Sequence, residues 1–143
     1  MTATPGSDEA PLGRAGAAPV ARLATIDADG RPHLVPCCFA LDGEVAYSVV
    51  DHKPKRSTAL RRLDNIRAHP DVCLLVDHYE DDWSALWWVR LDGTARVVAD
   101  GPEHERAIAL LCAKYPQYRA VRPSGPVVAI DVAATRSWSA AAG

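Results

Sequence analysis

The sequence predicts a mainly β (α+β) domain: a small, largely antiparallel β-barrel covered by two or more helices. Near the N-terminus, short apolar segments are separated by Asp/Gly turns at residues 27–30 and 41–44, a pattern typical of hairpins. Strands follow one another without the regular strand–helix alternation of a parallel sheet. Two segments, residues 57–69 and 101–115, carry apolar residues at helical spacing and are predicted to cover the barrel.

The composition is that of one globular domain. The 143 residues are 48% apolar and 24% charged, with a formal net charge of −2. Residues 1–18 are small, polar and rich in Pro and Gly, which predicts a flexible leader followed by a domain over residues 19–143. Apolar runs are too short to span a bilayer, and the N-terminus carries no secretory pattern. We interpret the four cysteines as buried reduced thiols, and together these features predict a cytoplasmic protein.

Three predicted strands open the domain as a β-meander. They run from Val20 to Ile26, from His33 to Ala40 and from Val45 to Val50. Pro36 lies inside the second strand and has no N–H to donate, so this position is predicted to be a sheet edge or a bulge.

The first predicted helix begins at Ser57 or Thr58, both fair N-caps, and ends at Pro70. Its predicted core face consists of Leu60, Leu63 and Ile66. The residues predicted to point away from the core are Arg61, Arg62 and Asn65.

The remaining elements complete the barrel. Residues 72–79 are strongly apolar and predict a central strand. Residues 85–99 predict one bent strand, or two strands around Asp92 and Gly93. A second helix begins near Pro102, and residues 127–132 predict a last strand before a tail that carries Trp138.

The motifs of several enzyme classes are absent from the sequence. It contains no glycine-rich phosphate loop, no G-x-G-x-x-G and no G-x-S-x-G nucleophile elbow. The five histidines lack metal-ligand spacing, so no metal site is predicted. If the protein is an enzyme, a cofactor therefore supplies the chemistry, and we assign no catalytic side chain.

Lys and Arg residues cluster in one segment, residues 53–67. Six of the sixteen Lys and Arg residues lie between positions 53 and 67, with one acid, Asp64, among them. Two of the three lysines, Lys53 and Lys55, flank Pro54 there. The cluster is interpreted as a solvated helix face or as a site for a small phosphorylated ligand at a strand-to-helix junction. Nucleic acid is disfavoured as a partner because the rest of the chain is acidic.

Residues 20–98 resemble a known group of proteins. The segments that carry the resemblance are "TIDADGRPHLVP", "DHKPKR" and "DHYEDDWSALWWVR". Together they are similar to the flavin/deazaflavin oxidoreductase superfamily of pyridoxamine 5′-phosphate oxidase-like, FMN-binding split β-barrels. Within it they resemble the B-type group of probable coenzyme F420-dependent enzymes.

The resemblance implies a homodimer with the cofactor at the subunit interface. It implies that the cofactor phosphate is held by Lys53, Lys55 and Arg56, with help from Arg61 or Arg62. The ring system is expected near Pro36, Cys37, Val50 and Asp51. Trp88 and Trp138 are candidates to border the ring or the substrate, with simple packing as the other interpretation.

The expected activity is hydride transfer between coenzyme F420 and a small organic substrate. FMN in the same fold is the nearest alternative, and a non-catalytic flavin-, deazaflavin- or haem-binding protein is the other. Neither nucleic acid nor a membrane is expected as a partner. The sequence lacks the long C-terminal part with which pyridoxamine phosphate oxidases hold their substrate, so that activity is not expected.

Overall fold

The fold was analysed in a computed structural model that describes residues 9–50 and 58–140. Seven strands lie in this part of the chain: β1 Ala21–Ile26, β2 Pro32–Cys37, β3 Ala40–Asp42, β4 Val45–Val49, β5 Asp71–His78, β6 Trp87–Val98 and β7 Val127–Ser139. The helices are α1 Glu9–Ala17, α2 Thr58–Ala68, α3 Pro102–Lys114 and α4 Pro116–Ala120, with a short 3₁₀ turn at Trp83–Ala85.

The strands form one sheet in the order β2-β1-β5-β6-β7-β4-β3, and every neighbouring pair is antiparallel. The sheet curls into a half-barrel around an apolar core, and the helices cover it, which confirms the predicted fold class. Strand β5 is central, as predicted, because it lies between β1 and β6. Pro36 lies in β2 at the sheet edge, also as predicted.

The prediction of one strand from His33 to Ala40 is wrong. The chain leaves β2 at Cys37 and enters β3 at Ala40, at the opposite end of the strand order. Phe39 lies between them and is fully buried. Its backbone N–H donates to the Tyr115 hydroxyl at 3.0 Å instead of to a neighbouring strand. The core and the side chain of Tyr115, the residue that follows α3, therefore hold this crossover segment.

The expectation of a flexible leader over residues 1–18 is corrected for residues 9–17, which form α1. Ala15 is fully buried, and Leu12 packs against the main core. Gly16 approaches Leu41, with 3.5 Å between the position of a Cβ at residue 16 and a Leu41 methyl carbon. Small residues, which favoured disorder by composition, here allow a helix to lie close to the half-barrel. Residues 1–8 lie outside the described part of the chain.

The buried face of α2 differs from the predicted one. Leu63 and Ile66 are buried as predicted, but Leu60 is 46% exposed. Asn65 and Arg62 are buried instead, with 4% and 9% of their surface exposed. The amide of Asn65 donates to the hydroxyl of Thr25 on β1 at 3.1 Å, which satisfies a polar group inside the core. Arg62 lies one turn earlier on the same helix face.

Strand β6 is a single strand with an irregularity, the bent-strand form of the prediction. Asp92 pairs with Ala134 and Gly93 with Val132, so Ala133 on β7 is an extra residue. A Cβ at position 93 would lie 2.3 Å from the Asp131 carbonyl oxygen, so only glycine fits here.

A charge network fixes α3 to the sheet. Arg96 on β6 donates to Glu103 at 2.7 Å and to Asp131 at 2.7 Å. The Tyr47 hydroxyl on β4 donates to Glu103 at 2.8 Å. Arg96, followed by Tyr47, lowers the pKa of Glu103 to about 2, so this carboxylate stays charged throughout the neutral range.

The close approach at Gly93 gives a stability test. We expect Gly93→Ala to lower the free energy of unfolding by about 1–3 kcal/mol, because β6 and β7 must separate to admit the methyl group. Gly13→Ala is the matched control. Position 13 is an exposed site in α1 with open space around it, and alanine there is expected to stabilise by about 0.5–1 kcal/mol. Urea unfolding measures both, and a Gly93→Ala protein as stable as the wild type would contradict the close approach.

Candidate functional site

Three of the predicted cofactor residues, Cys37, Val50 and Arg62, are buried. Cys37 ends β2, Val50 follows β4, and Arg62 lies in the second turn of α2. Cys37 and Val50 belong to the same buried core cluster. The Cys37 thiol interacts with the Arg62 guanidinium and with the hydroxyl of Ser48, which is also buried. We call this place the junction: Cys37, Ser48, Val50 and Arg62.

Arg62 is a buried charge for which the described part of the chain supplies no counter-charge. Arg62 is 9% exposed, and its Nε is buried with no hydrogen-bond partner in residues 9–50 and 58–140. Within that same part of the chain, no carboxylate forms an ion pair with Arg62. Burying a guanidinium costs free energy unless it is paired, so this side chain is prepared for an anion that the described residues do not supply.

Five of the other arginines form ion pairs with acids among the described residues. Their partners are Asp77 for Arg22, Asp64 for Arg67, Asp92 for Arg90, Glu103 and Asp131 for Arg96, and Asp42 for Arg106. These pairs are all more exposed than Arg62 and therefore need their counter-charge less. Arg62 differs from these arginines in being buried and in having no acid partner among the described residues.

Lys114 also acts on the junction, and sequence reasoning missed it. Its ammonium group donates to the Phe39 carbonyl at 2.8 Å and lies 3.7 Å from the centre of the Phe39 ring. Burial lowers its pKa to about 8, against the opposing effect of the thiols of Cys38 and Cys37. Lys114 is the third of only three lysines, and the other two are the predicted phosphate ligands. The small number of lysines in the sequence was the one signal that could have pointed to Lys114.

The pKa of the Cys37 thiol depends on burial and on the charged groups around it. Burial is the largest effect and raises its pKa, so the thiol is protonated at neutral pH. Arg62, the Ser48 hydroxyl and Lys114 oppose that rise, while Cys38 adds to it. Two cations from different helices thus act on one thiol.

Four predicted ligands lie outside the described residues: Asp51, Lys53, Lys55 and Arg56. In the sequence they fall between Val50, which belongs to the junction, and Thr58, which begins α2. Their roles stay predictions.

The remaining predicted ligands lie on the other face of the sheet. In β2, Pro36 is exposed while its neighbour Cys37 is buried, because side chains alternate along a strand. Trp88 and Trp138 are register partners across β6 and β7, and Trp138 is 42% exposed. In one chain, Cys37, Val50 and Arg62 are therefore on the buried side of the sheet, whereas Pro36, Trp88 and Trp138 are on the opposite face.

This second face carries a shallow groove of about 410 Å³. Its lining is Arg22, Ala24, Leu34, Cys73, Leu75, Asp77, Tyr79, Trp88 and Arg90. A neighbouring depression of about 480 Å³ shares Ala24 and Cys73 with it. Leu34 and Tyr79 are 65% and 67% exposed, which is unusual for large apolar side chains on one face. We call this surface the groove face.

The described residues contain neither a metal-binding cluster nor a membrane-spanning helix. No group of three or more His, Cys, Asp or Glu in residues 9–50 and 58–140 is placed to hold a metal ion. No helix in those residues is long and apolar enough to cross a bilayer. All four cysteines are free thiols, Cys37 and Cys112 buried and Cys38 and Cys73 partly exposed.

An antiparallel half-barrel with a basic junction and an open apolar face defines the class of protein, a split β-barrel domain. The family described as pyridoxamine 5′-phosphate oxidase matches residues 14–139, and the chain belongs to that family. A comparison with curated proteins finds no match.

Solved structures share the fold at low sequence identity. A conserved hypothetical protein from Mycobacterium tuberculosis has a TM-score of 0.74 and 21% identity, and the match covers 98% of this chain and 87% of that one. A FAD-binding protein from Mesorhizobium loti has a TM-score of 0.67, 20% identity and coverages of 90% and 91%. The haem storage protein HutZ from Vibrio cholerae has a TM-score of 0.68, 19% identity and coverages of 97% and 95%. At these identities the likeness shows the fold alone.

The uncompensated charge makes a measurable prediction. We expect Arg62→Met to raise the free energy of unfolding of the ligand-free protein by about 1 kcal/mol or more, because it removes a buried unpaired charge and keeps the apolar stem. Arg67→Met, on the exposed side of the same helix, is the control and is expected to change little. Denaturant unfolding compares them, and a clear loss of stability in Arg62→Met would mean that the charge is already compensated.

Proposed function

We propose that this protein is an oxidoreductase that uses coenzyme F420 to transfer hydride to or from a small organic substrate. Membership of the pyridoxamine 5′-phosphate oxidase family supports a flavin-type cofactor, and the resemblance of residues 20–98 to the B-type deazaflavin group favours F420 over FMN. The proposal is carried by one observation: the buried Nε of Arg62, which has no hydrogen-bond partner among the residues that the structure describes.

The residues present at the junction fit an anionic cofactor. Arg62 offers a buried N–H without an acceptor among the described residues, and the Ser48 hydroxyl interacts with the Cys37 thiol. Lys53, Lys55 and Arg56 follow Val50 in the chain and are the proposed partners for the phosphate. Charged donors on a phosphate give strong, short hydrogen bonds, so this set is suited to anchor the tail of the cofactor.

The cofactor supplies the hydride chemistry when it is bound. The protein would orient it, exclude water and provide the phosphate anchor. The thiol of Cys37 is protonated at neutral pH, which makes it a packing group rather than a nucleophile. We assign no side chain as a general acid or base.

We propose that the complete site forms between two copies of the chain. Pro36, Trp88 and Trp138 lie on the groove face, and the junction lies on the other side of the same sheet. A ligand cannot contact both through a packed sheet. A homodimer that places the groove face of one copy against the junction region of the other would unite them, and it would cover the exposed Leu34 and Tyr79.

FMN is the nearest alternative cofactor because it also presents a phosphate to the same cations. A non-catalytic flavin, deazaflavin or haem carrier is the other alternative. Haem is supported by the fold shared with HutZ, which is described as a haem storage protein. The thiol of Cys73 on the groove face is not a favourable haem ligand, because burial and then Asp92 raise its pKa.

Binding titrations test the proposal. Purified protein is titrated with F420, FMN and haem, followed by fluorescence and absorbance. We expect F420 to bind most tightly, and Arg62→Met or Lys55→Ala to weaken it by about tenfold or more through loss of a charge-assisted contact. Arg67→Met is the control and is expected to bind like the wild type.

Each outcome decides one part of the proposal. Binding of FMN without binding of F420 would overturn the choice of cofactor. Tight F420 binding that neither Arg62→Met nor Lys55→Ala weakens would overturn the anchor. Loss of absorbance of reduced F420 on addition of an enone or another electron-poor substrate supports an enzyme. Binding without turnover over a broad set of such substrates would favour the carrier.

A further inference from the structure

We propose that the groove on the groove face binds a monocarboxylate with a flat, apolar body. Its carboxylate lies at Arg90 and Arg136, and its body lies along Leu75 and Trp88. The inference deepens the proposed function by naming a class of substrate, and it rests on that function only for the reaction that the substrate undergoes.

A row of arginines crosses the groove face. Arg22 of β1 pairs with Leu75 of β5, and Leu75 pairs with Arg90 of β6. Arg90 in turn pairs with Arg136 of β7. Residues paired directly across strands point to the same face of a sheet, so all four side chains lie on the groove face. The first three line the groove, and Arg136 lies next to Arg90 at its margin.

Two carboxylates on this face serve three guanidinium groups. Arg22 donates to Asp77 at 3.1 Å. Arg90 donates to both oxygens of Asp92, at 2.9 and 3.2 Å. Arg136 is exposed and forms no ion pair within the described part of the chain. Three arginines and two acids leave one positive charge, which a monoanion balances.

The surplus charge is located between β6 and β7. Arg90 and Arg136 are like charges in directly opposite positions, an arrangement that destabilises a sheet. Their Cβ atoms are about 4.5–5.5 Å apart in such a pair, so one carboxylate can accept hydrogen bonds from both side chains. Arg90 uses two of its five N–H groups on Asp92, and no described residue accepts one from Arg136. A bound carboxylate therefore replaces a repulsion by two charge-assisted contacts.

The rest of the groove suits an apolar body. Its lining includes Leu34, Leu75 and Trp88, and its volume of about 410 Å³ is sufficient for a small ring system. Trp88 and its register partner Trp138 lie two residues along their strands from the arginine pair, which is about 7 Å. A carboxylate at the arginines thus leaves the body of the ligand beside the tryptophans that are candidates to border the cofactor ring.

A further acid on this face fixes the orientation of the ligand. Asp71 lines the neighbouring depression and lies four residues along β5 from Leu75, at a distance of about 14 Å. An anion at that end would meet a like charge. The carboxylate therefore belongs at the arginine row and not in the neighbouring depression.

Two probes of the same shape and different charge test the inference. Protein without added cofactor is titrated with 2-naphthoate and with the neutral 2-naphthamide. We expect 2-naphthoate to bind about tenfold or more tightly at low salt, since only it makes charge-assisted contacts. Its affinity is expected to stay constant from about pH 6 to 9, because carboxylate and guanidinium both remain charged there.

The indole N–H signals of the four tryptophans locate the bound probe. Trp88→Phe assigns the Trp88 signal by its disappearance, and 2-naphthoate is expected to shift that signal in the wild type. A preference for 2-naphthoate that leaves the Trp88 signal unchanged would put the acid site elsewhere and overturn the inference.

Three variants change the charge in matched ways. Arg136→Gln removes the surplus charge, so we expect the affinity for 2-naphthoate to fall about tenfold and that for 2-naphthamide to stay unchanged. Asp92→Asn adds to the surplus and is expected to tighten 2-naphthoate binding. Arg67→Gln, on the exposed side of α2, is the control and is expected to change neither. Equal affinity for the two probes, or full affinity for 2-naphthoate in Arg136→Gln, would contradict the assignment.

These titrations distinguish this inference from the cofactor proposal because they are made without F420. A protein that binds F420 but does not prefer 2-naphthoate would lose the assigned substrate class and keep the assigned cofactor. A protein that prefers 2-naphthoate through Arg136 but does not bind F420 would keep the acid site and lose the assigned cofactor.

Discussion

The architecture depends on how the chain crosses from one edge of the sheet to the other. Between β2 and β3 the backbone of Phe39 has no strand to pair with, and the C-terminal end of α3 satisfies it instead. The Tyr115 hydroxyl accepts from the Phe39 N–H and lies 2.9 Å from the Pro19 carbonyl, to which it can donate. Lys114 donates to the Phe39 carbonyl. These bonds connect α3 to both edges of the half-barrel and bring a lysine beside the thiols at the end of β2.

The same crossover brings residues near the end of β2 under the influence of cations from two helices. It brings the end of β2 to the end of β4, where Arg62 of α2 lies beside Cys37. Five arginines that are more exposed than Arg62 are paired with acids, as Arg96 is with Glu103 and Asp131. At the junction the described residues supply no acid for Arg62, although burial makes an unpaired charge costly there. A protein that keeps such a charge in its free state gains from it when an anion binds.

Much of the fold could be predicted from the sequence because its signals are local. The Asp/Gly turns, the apolar run of β5 and the proline of β2 each depend on a few adjacent residues. The crossover could not be predicted in this way, since Phe39 depends on Tyr115, 76 residues later. The buried face of α2 was mispredicted for the same reason. Asn65 is buried because Thr25, 40 residues earlier, accepts its hydrogen bond, and helical spacing alone favoured Leu60.

For the candidate site, the sequence predicted the kind of residues involved better than their positions in the fold. Cation clustering pointed to the strand-to-helix junction, and Arg62 lies there. Sequence alone could not show that Arg62 is buried with no counter-charge among the described residues, nor that Lys114 from a distant helix acts on the Cys37 thiol. It also could not show that Trp88 and Trp138 lie across the sheet from that junction. This separation leads to the central claim, a site completed by a second copy.

A mixed dimer tests that claim most directly. A chain carrying Arg62→Met and a chain carrying Trp88→Ala are co-expressed with different tags, and the mixed dimer is purified and titrated with F420. If each site takes Arg62 from one copy and Trp88 from the other, one site of the mixed dimer carries both substitutions and the other carries neither. The account predicts wild-type affinity at half of the sites, although either variant alone binds weakly. A mixed dimer that binds no better than the two single variants, or a monomer that binds like the wild type, would contradict it.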